Sequence, residues 1–181
     1  MAAETSTYAI RSATLDDLQA LTDIYNYYVI NTAITFDVRP FAAQDRRAWF
    51  DDHTSGGRYR LLVAVGSGGE SLGYATTSRW RPKAAYDTTV EASVYCHPEA
   101  IGRGCGTALY GALFDSIAAE DVRTIVAGVS LPNPASIKLH ERFGFRPVGV
   151  FHGVGRKFDK YWDVAWFERP LALSAQLARG G

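Results

Sequence analysis

The sequence predicts an α+β fold, with helices flanking a mixed, mostly antiparallel sheet. Two observations predict it. The pattern reads strand, two helices, three strands, then helix, strand, helix, strand, strand, and the strand–helix–strand passage in the second half implies a parallel crossover. Tyr8 to Arg11 is the first strand. Thr14 and Asp17 mark a helix start in the manner of a capping box, and Leu18, Leu21, Tyr25 and Tyr28 then give one apolar stripe. After Pro40 a second helix is expected from Ala42 to Asp52. Leu61 to Val65 and Leu72 to Thr77 are strands joined by the Gly66-Ser67-Gly68-Gly69 turn, and a third strand runs from about Val90 to Cys96. Leu109, Leu113 and Ile117 repeat at helical spacing after the glycine-rich loop. Thr124 to Val129 is a buried strand by its β-branched content. Asn133 and Pro134 open a short helix that Gly144 closes. Val148 to Phe151 and Asp163 to Phe167 complete the sheet, and Gly153 to Trp162, with Arg156, Lys157 and Lys160, reads as a hairpin at a partner or at the mouth of a pocket.

A chain of 181 residues suits one domain, 1–181, with an ordered core of about 8–172 and loose ends outside it. Its hydrophobic share of 47% is that of a folded globule. A formal net charge of +0 gives no bulk attraction for nucleic acid or a membrane surface, so neither partner is expected. Cys96 and Cys105 make no disulfide framework, which points to a reducing, cytoplasmic setting. Met1 to Thr7 lack the basic-then-apolar pattern of a signal peptide, and no apolar run approaches the ~20 residues of a membrane span. His53, His97 and His152 show no metal-ligand spacing with the cysteines, so no metal is expected.

The segment Ile101-Gly102-Arg103-Gly104-Cys105-Gly106-Thr107 stands between a strand and a helix. Glycines there can turn backbone amides toward one point, and the helix start adds positive partial charge, as a phosphate site requires. A P-loop is ruled out because Gly106 stands where lysine must precede Thr107. A dinucleotide fingerprint is ruled out by Thr107 at its third glycine and by the missing βαβ repeats. A pyrophosphate cradle and a plain turn with positive dihedrals both remain.

At this loop the sequence resembles the GCN5-related N-acetyltransferases, whose Gln/Arg-x-x-Gly-x-Gly/Ala loop cradles the coenzyme A pyrophosphate. Gly104 and Gly106 match; Ile101 takes the Gln/Arg place and leaves Arg103 as the nearest basic group. A second block, Asn133 to Phe145, is similar to the family's Asn…Ala/Ser…aromatic-Glu-Lys/Arg-x-Gly-Phe segment. Nearly end to end, from Ile10-Arg11 to Trp162-Asp163-Val164, the chain resembles the phosphinothricin and methionine sulfoximine acetyltransferases. Thr35-Phe36, Tyr86-Asp87, Glu91 to Tyr95 and His140-Glu141 carry that likeness, His140 standing where many other members have tyrosine.

The resemblance implies a sheet whose central parallel strands splay apart, with pantetheine between the strand ending near Cys96 and that near Val129. It also implies a homodimer, acetyl-CoA as cosubstrate, and a small amine acceptor acetylated by direct attack in a ternary complex. Glu91, a carboxylate in an otherwise apolar strand, is the candidate base, since burial would raise its pKa; an exposed or arginine-fixed glutamate is the plainer reading. His140 is the candidate acid for the leaving thiolate, with an unperturbed pKa of ~6.5, or a hydrogen-bonding helix residue. By position, the amides of Val94, Tyr95 and Cys96 are candidates for the thioester carbonyl. Gly102, Arg103, Gly104, Cys105, Gly106 and Thr107 are assigned to the pyrophosphate, and Asn133 and Ser136 to the pantetheine arm, Asn133 being equally a helix cap. Trp80, Arg81, Lys83 and Tyr86 offer cations beside an aromatic wall for the acceptor, with Phe36 opposite; Lys83 stands where phosphinothricin enzymes carry arginine. The alternatives are a protein or peptide N-acetyltransferase, which needs an open groove, and a non-catalytic acyl-CoA sensor.

Overall fold

An apolar segment buried on both faces belongs inside a sheet, and Leu61–Gly66 is such a segment. In the computed structural model, which describes residues 8–53 and 55–171, it forms β2, between β1 (Tyr8–Ser12) and β3 (Ser71–Arg79). The first seven residues, the end from residue 172 and therefore the outer limits expected for the domain lie outside the described residues. β4 (Thr89–Cys96), β5 (Thr124–Ser130), β6 (Arg146–Lys157) and β7 (Lys160–Pro170) complete a sheet of order β1-β2-β3-β4-β5-β7-β6. Every neighbouring pair is antiparallel except β4 and β5. The mixed, mostly antiparallel sheet with a parallel crossover is what the sequence predicts.

Alternation of side chains divides the core into two faces. Leu61, Val63 and Tyr74 pack under Leu21, Ile24 and Tyr28 of α1 (Leu18–Asn31). Leu62, Ala64, Ala75 and Val90 pack against Leu109 and Leu113 of α3 (Cys105–Ser116). Ile137 and Leu139 of α4 (Pro134–Arg142) join that second cluster. Asp17 anchors the approach to α1: its carboxylate accepts the Thr14 N–H at 2.7 Å and both Arg11 guanidinium nitrogens at 2.7 and 2.8 Å.

Three elements depart from expectation. The second helix is split into a 3₁₀ turn (Ala43–Arg46) and a short α2 (Arg47–Asp51), because Asp45 folds back onto the Ala42 N–H. Ile117 falls just beyond α3, at its C-cap, yet is fully buried. The last two strands are much longer than their apolar cores suggest. Glycines 149, 153 and 155 interrupt the strand pattern in the sequence, but bulges between Pro147 and Gly149 and between Phe151 and Gly155 absorb them. The two strands turn at Phe158 and Asp159, both in the left-handed region (φ 53 and 56), so the hairpin expected over Gly153 to Trp162 is present.

Candidate active site

The parallel ladder between β4 and β5 is short. Thr89, Val90 and Glu91 pair with Thr124, Ile125 and Val126, and there the register ends although both strands continue. Hydrogen bonds at the far ends fix which groups face the opening. His97 N–H reaches the Leu72 carbonyl at 2.8 Å, so the Tyr95 amide faces β3 and those of Val94 and Cys96 face away from it. Leu131 N–H reaches the Asp163 carbonyl at 2.9 Å, so the main chain of Gly128 and Ser130 faces β4 across the gap. Main-chain donors and acceptors left unpaired between two separated strands need a ligand or water. Of the three amides assigned to the thioester, Tyr95 is corrected: its N–H belongs to the β3 ladder, and its ring packs on Tyr74, Tyr25 and Tyr28. Tyr28 closes one end of the gap by donating to the Cys96 carbonyl at 2.6 Å.

The glycine-rich loop lies at the start of α3. Gly102 and Gly104 have φ +81 and +80, conformations that side chains with Cβ rarely take. Arg103 N–H has a long contact of 3.4 Å to the Ala100 carbonyl, whereas the amides of 102 and 104–107 meet no acceptor among the described residues. Free amides at a helix N-terminus after a left-handed cap suit an anion. Gly106 faces inward instead, where an added Cβ would meet Cys96 Sγ at 3.4 Å and Leu139 Cδ2 at 3.7 Å. Contact with Cys105 and burial push the Cys96 thiol up, which keeps it protonated. Ile101 and Arg103 are exposed. Together the gap and the loop fit the pantetheine and diphosphate of acetyl-CoA.

Asn133 and Ser136 both border the gap. Asn133 is a cap, its side chain accepting the Ser136 N–H at 3.1 Å. His140 borders it too, but not as an acid ready to donate. Its Nδ1–H is given to the Ser136 carbonyl at 2.7 Å, leaving Nε2 to accept from the Tyr110 hydroxyl at 3.1 Å. Burial lowers the His140 pKa, with only the Ser136 carbonyl opposing, and the ring stacks on Phe167 and meets Phe145 edge-on. A neutral imidazole is thus the resting state, and the expectation of donation at an unperturbed pKa is corrected. Tyr110, invisible in the sequence as one apolar residue of a helix stripe, is the polar group that shares this end of the gap.

Beside the last paired residues of β4 and β5 is a second cavity, of about 380 Å3. Glu91 enters it with Phe36, Arg81, Ser130 and Trp166. Burial raises the Glu91 pKa and the Arg81 charge opposes the rise; no described residue donates a hydrogen bond to the carboxylate. Phe36 is seated on Gly155, where a Cβ would run 2.2 Å from its ring. Lys157, itself buried, holds the same segment by donating to the Thr35 carbonyl at 2.8 Å.

The structure therefore brings Glu91, Phe36 and Arg81 together. Trp80 and Tyr86 instead pack edge-to-face at 5.1 Å outside the lining, and Lys83 is exposed on the same turn. Lining residues that sequence reading missed, among them Ser130, Phe151 and Trp166, come from β5 and the β6–β7 hairpin; the hairpin's placement at a pocket mouth was the one available signal. Among the described residues no cluster of histidine, cysteine or carboxylates could hold a metal.

Comparison with known proteins points the same way over most of the chain. Residues 10–166 match the family described as "Acetyltransferase (GNAT) domain". The chain is 53% identical over 168 residues to phosphinothricin N-acetyltransferase of Streptomyces coelicolor, covering 92% of this chain and 98% of that protein. It is 38% identical over 163 residues to the L-methionine sulfoximine/L-methionine sulfone acetyltransferase of Pseudomonas aeruginosa, covering 90% and 94%. The crystal structure of a GNAT superfamily phosphinothricin acetyltransferase from Sinorhizobium meliloti, in complex with AcCoA, superposes with a TM-score of 0.87 at 34% identity, covering 92% of this chain and 89% of that one.

Proposed function

This chain belongs to the GNAT family of acetyl-CoA-dependent N-acetyltransferases, and from that premise we propose that it acetylates the primary amine of a small amino-acid-like acceptor, of the phosphinothricin or methionine sulfoximine type. The observation that carries the reading is the abrupt end of the β4–β5 ladder at Glu91, which puts unpaired main-chain groups beside a buried carboxylate.

Bound acetyl-CoA supplies the activated acyl group. The amides of the 102–107 loop hold its diphosphate, while Asn133, Ser136 and the main chain of β4 and β5 border its pantetheine arm. The Val94 and Cys96 N–H groups, facing the gap, hold the thioester carbonyl oxygen. Glu91 takes a proton from the acceptor ammonium, directly or through water, so that a neutral amine can attack. Its raised pKa suits that task better than an exposed carboxylate would. Arg81 and Phe36 orient the acceptor, with Trp80, Lys83 and Tyr86 behind them on the same turn. The Tyr110 hydroxyl, which rests donating to His140 Nε2, turns that one proton toward the departing sulfur as the thiolate leaves.

The whole chain acts as one catalytic domain, as a homodimer in the cytoplasm. The apolar residues exposed along the outer hairpin, Val148, Phe151, Val154 and Tyr161, support an interface there, and the two free thiols suit a reducing compartment. Sedimentation at the mass of a single chain would remove the dimer.

The deciding experiment measures free thiol released from acetyl-CoA with L-methionine sulfoximine, phosphinothricin and a histone-tail peptide in parallel. Saturable release with the small acceptors alone is expected. Release with the peptide alone would transfer the reading to protein acetylation, and cofactor binding without any release would leave a sensor.

A further inference from the structure

On the α1–α2 face, a cavity of about 270 Å3 lies beside the one that holds Glu91. One of its walls is a guanidinium. Arg46 is 6% exposed, with Cζ 3.8 Å from the Trp49 ring centre and 4.5 Å from that of Tyr25. The ring faces attract the charge, but its N–H edge is nearly unsatisfied. One N–H reaches the Leu21 carbonyl at 3.4 Å, a long contact, and no described carboxylate forms an ion pair with it. The Tyr74 hydroxyl, on a side chain 1% exposed, also lines this cavity; it lies against the Arg46 guanidinium without a hydrogen bond of good geometry. Asp37 and Asp45 line it too, Asp37 accepting the Tyr25 hydroxyl at 2.5 Å and Asp45 the Ala42 N–H at 3.0 Å, and their charges favour a neutral polarised oxygen over an anion. A buried cation and a buried phenol so poorly satisfied cost free energy until a polarised oxygen completes them.

We propose that this cavity is a second acceptor subsite, in which Arg46 and the Tyr74 hydroxyl bind the oxygens at the far end of the acceptor's side chain while its amine stays at Glu91. The proposal rests on the acetyl-transfer reading and adds the substrate feature that this site selects. Register supports the placement. Ser78, which lines the cavity, is the cross-strand partner of Glu91, and Ser93 and Tyr95 lie two and four residues further along the same face of β4. Those steps are about 7 and 13 Å at ~3.3 Å per residue. An α-carboxylate carbon, two bonds from the amine nitrogen, cannot bridge such a span. A sulfonyl group at the end of a side chain approaches it, and the hydroxyls of Thr76 and Ser93 line the way. Consecutive residues Phe36 and Asp37 line the two cavities, so one loop borders both.

The test compares kcat/KM for L-methionine sulfone with that for L-norleucine, an acceptor of similar length without the oxygens. In the unaltered enzyme the ratio should favour the sulfone, and Arg46→Met should lower it about a hundredfold, chiefly through KM of the sulfone. Ser93→Val, which narrows the same cavity without removing the charge, should lower the ratio about tenfold and serves if Arg46→Met does not fold. A ratio unchanged within threefold in the folded variants would overturn the subsite while leaving acetyl transfer intact. Turnover of neither acceptor by the unaltered enzyme would overturn the acetyl-transfer reading, and the subsite with it.

Discussion

The proposed cofactor side and the proposed acceptor side of this site are built from different material. On the cofactor side the available groups are main chain: the free amides of residues 102 and 104–107 and the unpaired edges of β4 and β5. On the acceptor side they are side chains from distant segments, with Glu91 in β4, Phe36 after α1, Arg81 after β3 and Trp166 in β7. A backbone site tolerates changes of side chain but not of dihedral angle or strand spacing. A side-chain site responds to single substitutions and can be retuned without disturbing the fold. Cofactor affinity should therefore follow glycine geometry, and acceptor choice should follow individual residues.

The harshest trial of that division is Glu91→Gln, which keeps shape and removes the base. Turnover should fall by ~10²–10⁴, mostly in kcat, measured by thiol release. Near-normal turnover would take Glu91 out of the chemistry. The pH profile carries the same information with a sign. Burial raises the carboxyl's pKa, so activity that needs the carboxylate should fade as pH drops through a value above the ordinary glutamate range. An acid limb at or below that range would contradict a buried base.

Next in size is Gly104→Val. No atom but the Tyr8 hydroxyl, at 4.0 Å, comes near the place of an added Cβ, so the penalty is the φ of +80 rather than a clash. A strained left-handed valine costs ~1–3 kcal/mol and re-aims the loop amides. Affinity for acetyl-CoA, followed by calorimetry, should drop about tenfold to a hundredfold by that energy scale. Unchanged affinity would show that the loop does not grip the diphosphate.

How far the two sides could be read from sequence follows from the same contrast. The loop was legible because glycine spacing reports local dihedrals, and the capping Asn133 because its partner Ser136 is three residues away. Glu91 stood out as a charge in an apolar strand. The neutral state of His140 was not legible, since it depends on packing against Phe145 and Phe167 and on Tyr110 in another helix. Nor was the idleness of the Tyr95 amide, which is a matter of ladder phase between β3 and β4. The basic loop was overread: composition placed Arg81, Lys83, Trp80 and Tyr86 on one turn, but only Arg81 lines the cavity.

Tyr110→Phe probes the seam between the sides. It removes one donor and leaves His140 Nε2 buried without a partner, at about 1–3 kcal/mol in stability. Turnover should fall about tenfold if the hydroxyl assists the leaving sulfur; a loss of thermal stability with kcat intact would make the pair structural. The gentlest test is Gly155→Ala. The new methyl would meet the Phe36 ring at 2.2 Å and push it into the acceptor cavity. The acceptor KM should rise about threefold to tenfold, for a displacement costing ~1 kcal/mol. A larger change in the cofactor KM than in the acceptor KM would break the division.

The Lys157–Thr35 bond ties the segment after α1 to a hairpin more than a hundred residues later in the chain. Because Gly155 also seats Phe36, these two surface pieces cannot loosen independently. Their amide hydrogens should exchange with solvent as one cooperative unit, and a molecule lodged against Phe36 would slow exchange as far as the hairpin's tip at residues 158 and 159.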